Sequence, residues 1–186
     1  WNSKFGWGRT IYQGANRYQL DNFLMQSHKI ELRNKDFFLR GYNISETAGN
    51  SYDMRFTGIN MNKYRATEWF GAYAGGYLGA VLGGASDAQA HAAARIIADD
   101  AETLQPGTAE FDQLYNQVIS DPDVNSGSKF VDNTQVTVGE GNYNFRRLLN
   151  NVLDFQVGGD YRQYSLNSGG TIFTDYDGPI NYSQYG

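Results

Sequence analysis

The fold of this chain is restricted most by two segments in which apolar and polar residues alternate. A stretch rich in alanine and glycine separates them. The alternating segments are SHKIELRNKDFFLRGYN, residues 27–43, and NVLDFQVGGDYRQYSL, residues 151–166. Successive side chains of a strand point to opposite faces, so each segment predicts strands with one apolar and one polar face. A membrane-spanning strand and a half-buried strand of a soluble sandwich share this pattern, so both remain open at this point.

The first segment predicts a β-hairpin with a two-residue turn at Asn34 and Lys35. This turn predicts that Ile30 pairs with Leu39 and Leu32 with Phe37 on an apolar face. The other face would then pair Lys29 with Arg40 and Glu31 with Phe38.

The second segment predicts a strand with one apolar and one highly polar face, followed by a turn at Gly169 and Gly170. Its apolar residues are Leu153, Phe155, Val157 and Tyr161, and its polar residues are Asp154, Gln156, Asp160 and Arg162.

The stretch between these segments predicts helices. Ser86 and Gln89 form a capping-box pattern after Gly83 and Gly84, which are suited to ending a preceding helix. The segment TAEFDQLYNQVIS, residues 108–120, has apolar residues at helical spacing and is stopped by a proline. The expected organisation is therefore strands in residues 1–62, a helical insertion in residues 63–141, and strands in residues 142–186.

The uncharged run at residues 69–85 carries glycines four positions apart, at Gly71, Gly75, Gly79 and Gly83. This spacing places the glycines on one helix face, where a second helix could approach closely. With 17 residues, several of them glycine, the run is a poor candidate for a membrane span. A helix packed tightly against a neighbour is the favoured interpretation.

Composition excludes several classes of function. The net charge of -5, without a cluster of Lys or Arg, argues against nucleic-acid binding. Because the chain has no cysteine and two histidines, it has little material for a thiolate or multi-histidine metal site or a histidine-based triad. No enzyme activity and no cofactor are therefore expected.

A degraded calcium-loop pattern occurs in DPDVNSGSKFVD, residues 121–132. Its candidate ligands are Asp121, Asp123, Asn125 and Asp132. Ser126 stands where such a loop needs glycine, and Asp132 stands where glutamate is usual. A plain turn is the favoured interpretation, and calcium is kept as a weak candidate.

The two ends of the sequence resemble internal segments of a chain. The chain opens with WNSKFGWGRT, which is not a secretion signal, and closes with INYSQYG, which is typical of the start of a strand. Both ends are therefore expected to be internal to a longer protein.

Several of these segments carry a family resemblance. KIELRNKDFFLRGYNISETAGNSYDMRF, with the later NYNF, LDFQVGGDYRQYSLNSGGTIFTDYDG and AEFDQLYNQVI, resembles TonB-dependent receptors of the Bacteroidetes outer membrane, the SusC-like group and its relatives. The resemblance covers most of the chain. It implies a mainly β fold: part of a transmembrane barrel of antiparallel strands that carries a helical extracellular loop region, belonging to a barrel too large for 186 residues to close.

This resemblance implies import of a nutrient such as a glycan, peptide or chelate by binding and gated passage. The polar strand faces would line the lumen, with candidates Lys29, Glu31, Arg40, Asp154, Asp160 and Arg162. The implied partners are membrane lipid, a TonB complex reached through other parts of the protein, and a surface lipoprotein lid. A soluble or surface-attached β-rich ligand-binding module is the alternative.

Overall fold

The computed structural model describes residues 1–186, apart from the side chain of residue 102. The described residues form seven strands and four helices in two compact units. The sheet unit comprises Trp1–Asp53 and Lys129–Gly186, and the helical unit comprises Met54–Ser128. The strands are β1 (Asn2–Gln13), β2 (Arg17–Arg33), β3 (Phe37–Thr47), β4 (Tyr52–Asp53), β5 (Gln135–Asn144), β6 (Gln156–Leu166) and β7 (Ile180–Tyr185). The helices are α1 (Met54–Lys63), α2 (Ala66–Leu82), α3 (Asp87–Glu102) and α4 (Ala109–Ser120).

The sheet is an antiparallel meander. Its strand order is β1-β2-β3-β5-β6-β7, and the short β4 pairs with β2 beside this path. The turn at residues 34–36 and the loop at residues 145–155 lie at one end of the sheet, called the turn end here. The loops at residues 14–16 and 167–179 lie at the other end, where the chain also leaves the sheet after β4 and returns at β5. The prediction of a mainly antiparallel β fold with helices inserted in it is confirmed at this level.

The β2–β3 turn differs from the predicted one. The turn lies one residue later, at Lys35 and Asp36, because the Asn34 N–H donates to the Phe37 carbonyl (2.9 Å). Asn34 Oδ1 accepts hydrogen bonds from the backbone N–H groups of Asp36 (2.7 Å) and Phe37 (2.8 Å). This side chain replaces part of the strand ladder, so the register moves by two residues: Ile30 pairs with Gly41 and Leu32 with Leu39. A two-residue shift leaves every side chain on its predicted face.

The limits of the three predicted zones also need correction. Helix α1 occupies the end of residues 1–62, where strands were expected, because the segment after β4 follows helical rather than alternating spacing. Strand β5 lies inside residues 63–141, which were expected to be helical. The helical unit therefore runs from Met54 to Ser128.

Helices α2 and α3 pack against each other through small side chains. Ala90, Ala94 and Ala98 recur every fourth residue of α3 and have no exposed surface. A Cβ atom added to Gly76 of α2 would lie 3.1 Å from the Ala94 Cα atom. Around Gly71, Gly75 and Gly79, in contrast, such an atom would meet nothing within 4 Å. The expected close contact between helices therefore exists, but Gly76 makes it, while three glycines of the regular stripe face open space.

The predicted helix ends are confirmed. Ser86 and Gln89 form the capping box of α3, with the Ser86 N–H donating to Gln89 Oε1 (3.0 Å). Gly83 is the C-cap of α2, and Gly84 has a φ of 87°, a conformation that favours glycine. In α4, Thr108 is the N-cap and accepts a hydrogen bond from the Phe111 N–H (3.3 Å). Among the helices of the described residues, none combines the length and apolar character that crossing a membrane requires.

The two glycine environments of α2 predict opposite effects of substitution. Gly75→Ala should stabilise the α2–α3 pair by about 0.5–1 kcal/mol, because alanine restricts the unfolded chain and meets no neighbour. Gly76→Leu should destabilise it by about 1–3 kcal/mol, because the side chain would push α3 away at Ala94. Hydrogen exchange of the α2 and α3 amides measures both effects. Gly75→Leu is the matched control, and a loss of stability as large as that of Gly76→Leu would contradict the packing described here.

Candidate functional site

One face of the sheet carries a band of charged residues near the turn end. Cross-strand pairing places Glu31 beside Arg40, Arg40 beside Glu140, and Glu140 beside Asp160. Paired residues of adjacent strands project from the same face, so these side chains form a continuous row across four strands. We call this set the charged band; its members are Lys29, Glu31, Arg33, Arg40, Glu140, Asp160 and Arg162.

The charged side chains of this band are paired with opposite charges in two groups, one around Glu31 and Arg40 and one formed by Asp160 and Arg162. Glu140 and Asp160, which are neighbours across β5 and β6, are both negative. Glu31 oxygens lie 3.2 Å from Lys29 Nζ, 3.4 Å from Arg33 Nε and 3.7 Å from Arg40 Nη1. Arg40 Nη2 lies 2.6 Å from Glu140 Oε1. Arg162 Nε donates to Asp160 Oδ2 at 2.9 Å. The band is thus a network of hydrogen-bonded ions, in which partial burial of the charges is offset by their partners.

Most of the residues that the sequence suggested for a lumen lie in this band, with one exception. Lys29, Glu31, Arg40, Asp160 and Arg162 share this face. Asp154 does not, because β6 begins only at Gln156. The Asp154 carboxylate instead accepts a hydrogen bond from Asn144 Nδ2 (3.0 Å) in the loop at residues 145–155.

Sequence reasoning missed Arg33 and Glu140. Glu140 was overlooked because β5 had been assigned to the helical insertion. The alternation of apolar and polar residues in β5 is weak, because its apolar face carries Gly139 and Gly141. Arg33 was missed because the predicted pairs extend only from Lys29 to Leu32, one residue short of it.

The opposite face of the sheet carries an exposed apolar band, which lies at the same distance from the turn end as the charged band. Ile30 is 61% exposed, Leu32 60%, Leu39 57% and Val157 51%. Rings from neighbouring strands extend this apolar band; they belong to Phe37, Tyr143, Tyr161 and Tyr185. A contiguous apolar surface of this kind is typical of a face that contacts another molecule or lipid.

Farther from the turn end, the polarity of the two faces reverses. The next row on the face of the apolar band is polar in every strand of the meander, and its members are Ser3, His28, Asn43, Thr137, Gln163 and Ser183. The row that follows the charged band on the other face is largely apolar and includes Ile44, Val136, Tyr164 and Tyr182. Strands β3, β5, β6 and β7 therefore change their apolar side about halfway along their length. Strand β1 does not, because Phe5 and Trp7 follow the polar row on the face of the apolar band.

A cavity of about 510 Å³ lies within the sheet unit, on the side of the charged band and away from the turn end. The rings of Tyr18 and Phe130 lie 5.1 Å apart in its wall, and the ring of Tyr12 lies 6.3 Å from that of Tyr18. Glu46 and Asp132 supply carboxyl groups to the same wall, and these two groups are hydrogen-bonded to each other. The cavity thus combines aromatic rings with a carboxyl pair.

The carboxyl pair holds one proton near neutral pH. Burial, and then the hydrogen bond and negative charge of Asp132, raise the pKa of Glu46 to about 7. Asp132 is 9% exposed, and its Oδ1 also accepts a hydrogen bond from the Thr134 N–H (3.0 Å). Burial disfavours the charged form of Glu46, and a second negative charge beside it adds to that cost, so the proton is retained until the pH rises to about 7.

The loop beside this cavity is held by the buried carboxylate of Asp175, which is 3% exposed. It accepts hydrogen bonds from the Ser168 hydroxyl (2.6 Å) and from the N–H groups of Gly169 (3.0 Å) and Gly170 (2.8 Å). Burial alone would raise the pKa of Asp175, but the hydrogen bonds outweigh it and hold the pKa far below its usual range. Thr171 Oγ1 donates to the Val131 carbonyl (2.8 Å), which joins the loop to the segment before β5.

The weak calcium candidates do not form one set of ligands. Asp121 accepts a hydrogen bond from the Asp123 N–H, and Asp123 accepts one from the Asn125 N–H, each at 2.9 Å, as in local turns. These three residues belong to the helical unit, whereas Asp132 belongs to the sheet unit and pairs with Glu46. Among the described side chains, no group of three or more His, Cys, Asp or Glu residues could hold a metal ion.

Comparisons with protein-family models, curated proteins and solved structures gave no match to this chain.

The raised pKa of Glu46 predicts a specific pH dependence of stability. Between pH 4.5 and about 7 the unfolded chain loses the Glu46 proton while the folded chain keeps it. The contribution of Glu46 is therefore fully present below pH 4.5 and is lost as the pH rises through about 7. Urea unfolding of the wild type and Glu46→Gln, repeated across this range, should give a smaller decline of the unfolding free energy for the variant. Glu68→Gln, in α2, is the control, and equal declines in wild type and Glu46→Gln would contradict the assignment.

Proposed function

We propose that this chain forms part of the wall of an outer-membrane transport barrel, with the apolar band facing lipid and the charged band facing an aqueous lumen. The observation that carries the proposal is the reversal of polarity along the strands. A transmembrane barrel needs an apolar outer face and a polar inner face only within the bilayer. Beyond the bilayer the outer face meets water, which suits the polar row that begins at Ser3, His28 and Asn43.

The positions of the aromatic rings support the same orientation. Tyr161 and Tyr185 pair with each other in the last row of the apolar band, directly before the polar row. Tyr185 is 78% exposed. Tyrosine is enriched at membrane interfaces, where its ring lies among apolar groups and its hydroxyl reaches water. In this arrangement the turn end faces the periplasm, and the other end, with the helical unit, belongs to the extracellular side.

The apolar band is shorter than the apolar part of a bilayer. The three rows from Phe37 to Gly41 span about 14 Å along a strand, against the roughly 25 Å apolar height of outer-membrane barrels. The loop at the turn end supplies further exposed apolar side chains, including Leu148 (66%), Val152 (87%) and Leu153 (60%). Because irregular backbone exposed to lipid is not stable in hydrocarbon, the proposal requires this segment to pair with further strands within the bilayer.

The lumen side would bind and pass a polar solute. A groove of about 480 Å³ on the side of the charged band is lined by Lys4, Lys29 and Arg40, among others. In lipid the outer edges of β1 and β7 must be paired, so the proposal also requires neighbouring strands on both sides. The resemblance to SusC-like receptors of Bacteroidetes supports nutrient import driven by a TonB complex and a surface lipoprotein as partner.

Spin labels can test which face of β3 meets lipid. The chain has no cysteine, so single cysteines placed along β3 can be labelled without removing native ones. In phospholipid vesicles, a label at Leu39 should collide with oxygen, which concentrates in lipid. Labels at Arg40 and Asn43 should collide with an aqueous nickel chelate. Leu39 and Asn43 lie on the same face, so equal aqueous access at both positions would favour the soluble binding module and rule out the barrel wall.

A charge on the apolar band should destabilise the protein in lipid according to its position. Leu39→Arg should cost about 2–4 kcal/mol of the unfolding free energy, the usual penalty for arginine on a lipid-facing strand near the bilayer centre. Asn43→Arg, on the same face but in the polar row, should cost at most about 1 kcal/mol. Reversible urea unfolding in vesicles measures both values. A penalty for Asn43→Arg as large as that for Leu39→Arg would contradict the assigned bilayer boundary.

A further inference from the structure

The cavity between Tyr12, Tyr18 and Phe130 has the size and shape of a small-molecule site. Its volume of about 510 Å³ falls in the range of roughly 300–1,000 Å³ that is usual for ligand pockets. All the residues that line it belong to the sheet unit. Glu46 lies near the end of β3, beyond the apolar band, so the cavity does not depend on whether that band meets lipid.

The charged acceptors of the cavity are its two carboxyl groups, while the hydroxyls of Tyr12 and Tyr18 can both donate and accept hydrogen bonds. The carboxyl groups of Glu46 and Asp132 face it, and none of the residues lining it is a lysine or arginine. The hydroxyl of Thr171, which also lines the wall, already donates to the Val131 carbonyl at 2.8 Å. A ligand that contacts both carboxyl groups as carboxylates must bring hydrogen-bond donors for them.

The charge of the carboxyl pair favours a cation over a neutral donor. Burial, the hydrogen bond between the two groups and the repulsion of their charges all favour one retained proton by raising the pKa of Glu46. An ammonium group can take the place of this proton, since it supplies both the positive charge and N–H donors for two carboxylates. Apart from the pair, the titratable side chains lining the cavity are those of Tyr12 and Tyr18.

The aromatic wall suits the rest of such a ligand. Tyr12, Tyr18 and Phe130 form a cluster in which neighbouring ring centres lie 5.1 and 6.3 Å apart. Aromatic faces attract cations and cover alkyl groups, and both contacts strengthen where water is excluded.

We propose that this cavity binds a small organic ammonium ion, with Glu46 and Asp132 holding the ammonium group and the rings of Tyr12, Tyr18 and Phe130 enclosing its alkyl part. The proposal concerns a binding site and does not rest on the transport proposal.

Isothermal titration calorimetry of the purified protein with n-butylammonium tests the site directly. We expect saturable binding, and we expect Glu46→Gln to weaken it roughly ten- to hundredfold, the usual effect of losing a charge-assisted hydrogen bond. Titrations at pH 6 in phosphate and in MES should differ in apparent enthalpy, because binding releases the shared proton to buffers with different enthalpies of ionisation. Glu68→Gln should bind like the wild type.

A second variant separates loss of the site from loss of the fold. Phe130→Leu keeps the carboxyl pair and should weaken n-butylammonium binding by removing an aromatic face, while hydrogen exchange of the β3 amides reports whether the sheet remains intact. Glucose serves as the neutral probe with many hydroxyl groups. The proposal would be overturned if the wild type bound glucose but not n-butylammonium, or if it bound neither probe. It would also be overturned if n-butylammonium bound without releasing a proton.

Discussion

The hydrogen bonds that Asn34 accepts from Asp36 and Phe37 fix the register on which the two faces of the sheet depend. A one-residue slip between β2 and β3 would exchange the faces of every side chain in one strand, so leucines would enter the charged band. The observed turn at Lys35 and Asp36 does more than keep the charged and apolar faces apart. It brings Glu31 opposite Arg40, and Arg40 in turn pairs with Glu140, which extends the ion network from the hairpin into β5.

The reversal of polarity along the strands restricts the surroundings in which this sheet is stable. A second sheet packed over the whole of one face would bury polar groups in either case. On one face it would bury the charged band, and on the other face it would bury the polar row that follows the apolar band. The reversal instead requires an apolar neighbour on one face near the turn end and a different apolar neighbour on the other face farther along. A bilayer outside and packed loops inside would meet both conditions, which is the physical basis of the transport proposal.

Alternation and capping patterns predicted most of the elements, because these patterns depend on residues close in sequence. The faces of Lys29, Glu31 and Arg40, the capping box at Ser86 and the helix after Thr108 were all readable in this way. Strand β5 was not, because Gly139 and Gly141 occupy the positions where apolar side chains would have marked its apolar face. The register of β2 and β3 could not be predicted from these patterns either, because it depends on the hydrogen bonds that the Asn34 side chain accepts in the turn.

The aromatic and carboxyl cavity could not have been predicted from the sequence. Glu46 and Asp132 are far apart in the chain, and they meet only because β3 and β5 pair across the inserted helical unit. Asp132 had even been grouped with Asp121 and Asp123 on the basis of spacing. Contacts between distant residues depend on the strand order, which alternation alone does not specify.

The hydrogen bonds of the Asp175 carboxylate affect how fast a ligand can enter the cavity beside it. Because it holds the N–H groups of Ser168, Gly169 and Gly170, the loop that supplies Thr171 and Ile172 to the cavity wall is ordered before any ligand arrives. A ligand therefore does not have to order this loop, and its capture needs no closing step. Diffusion to the mouth of the cavity would set the association rate, and differences in affinity between related ligands would arise chiefly from how long each one stays bound.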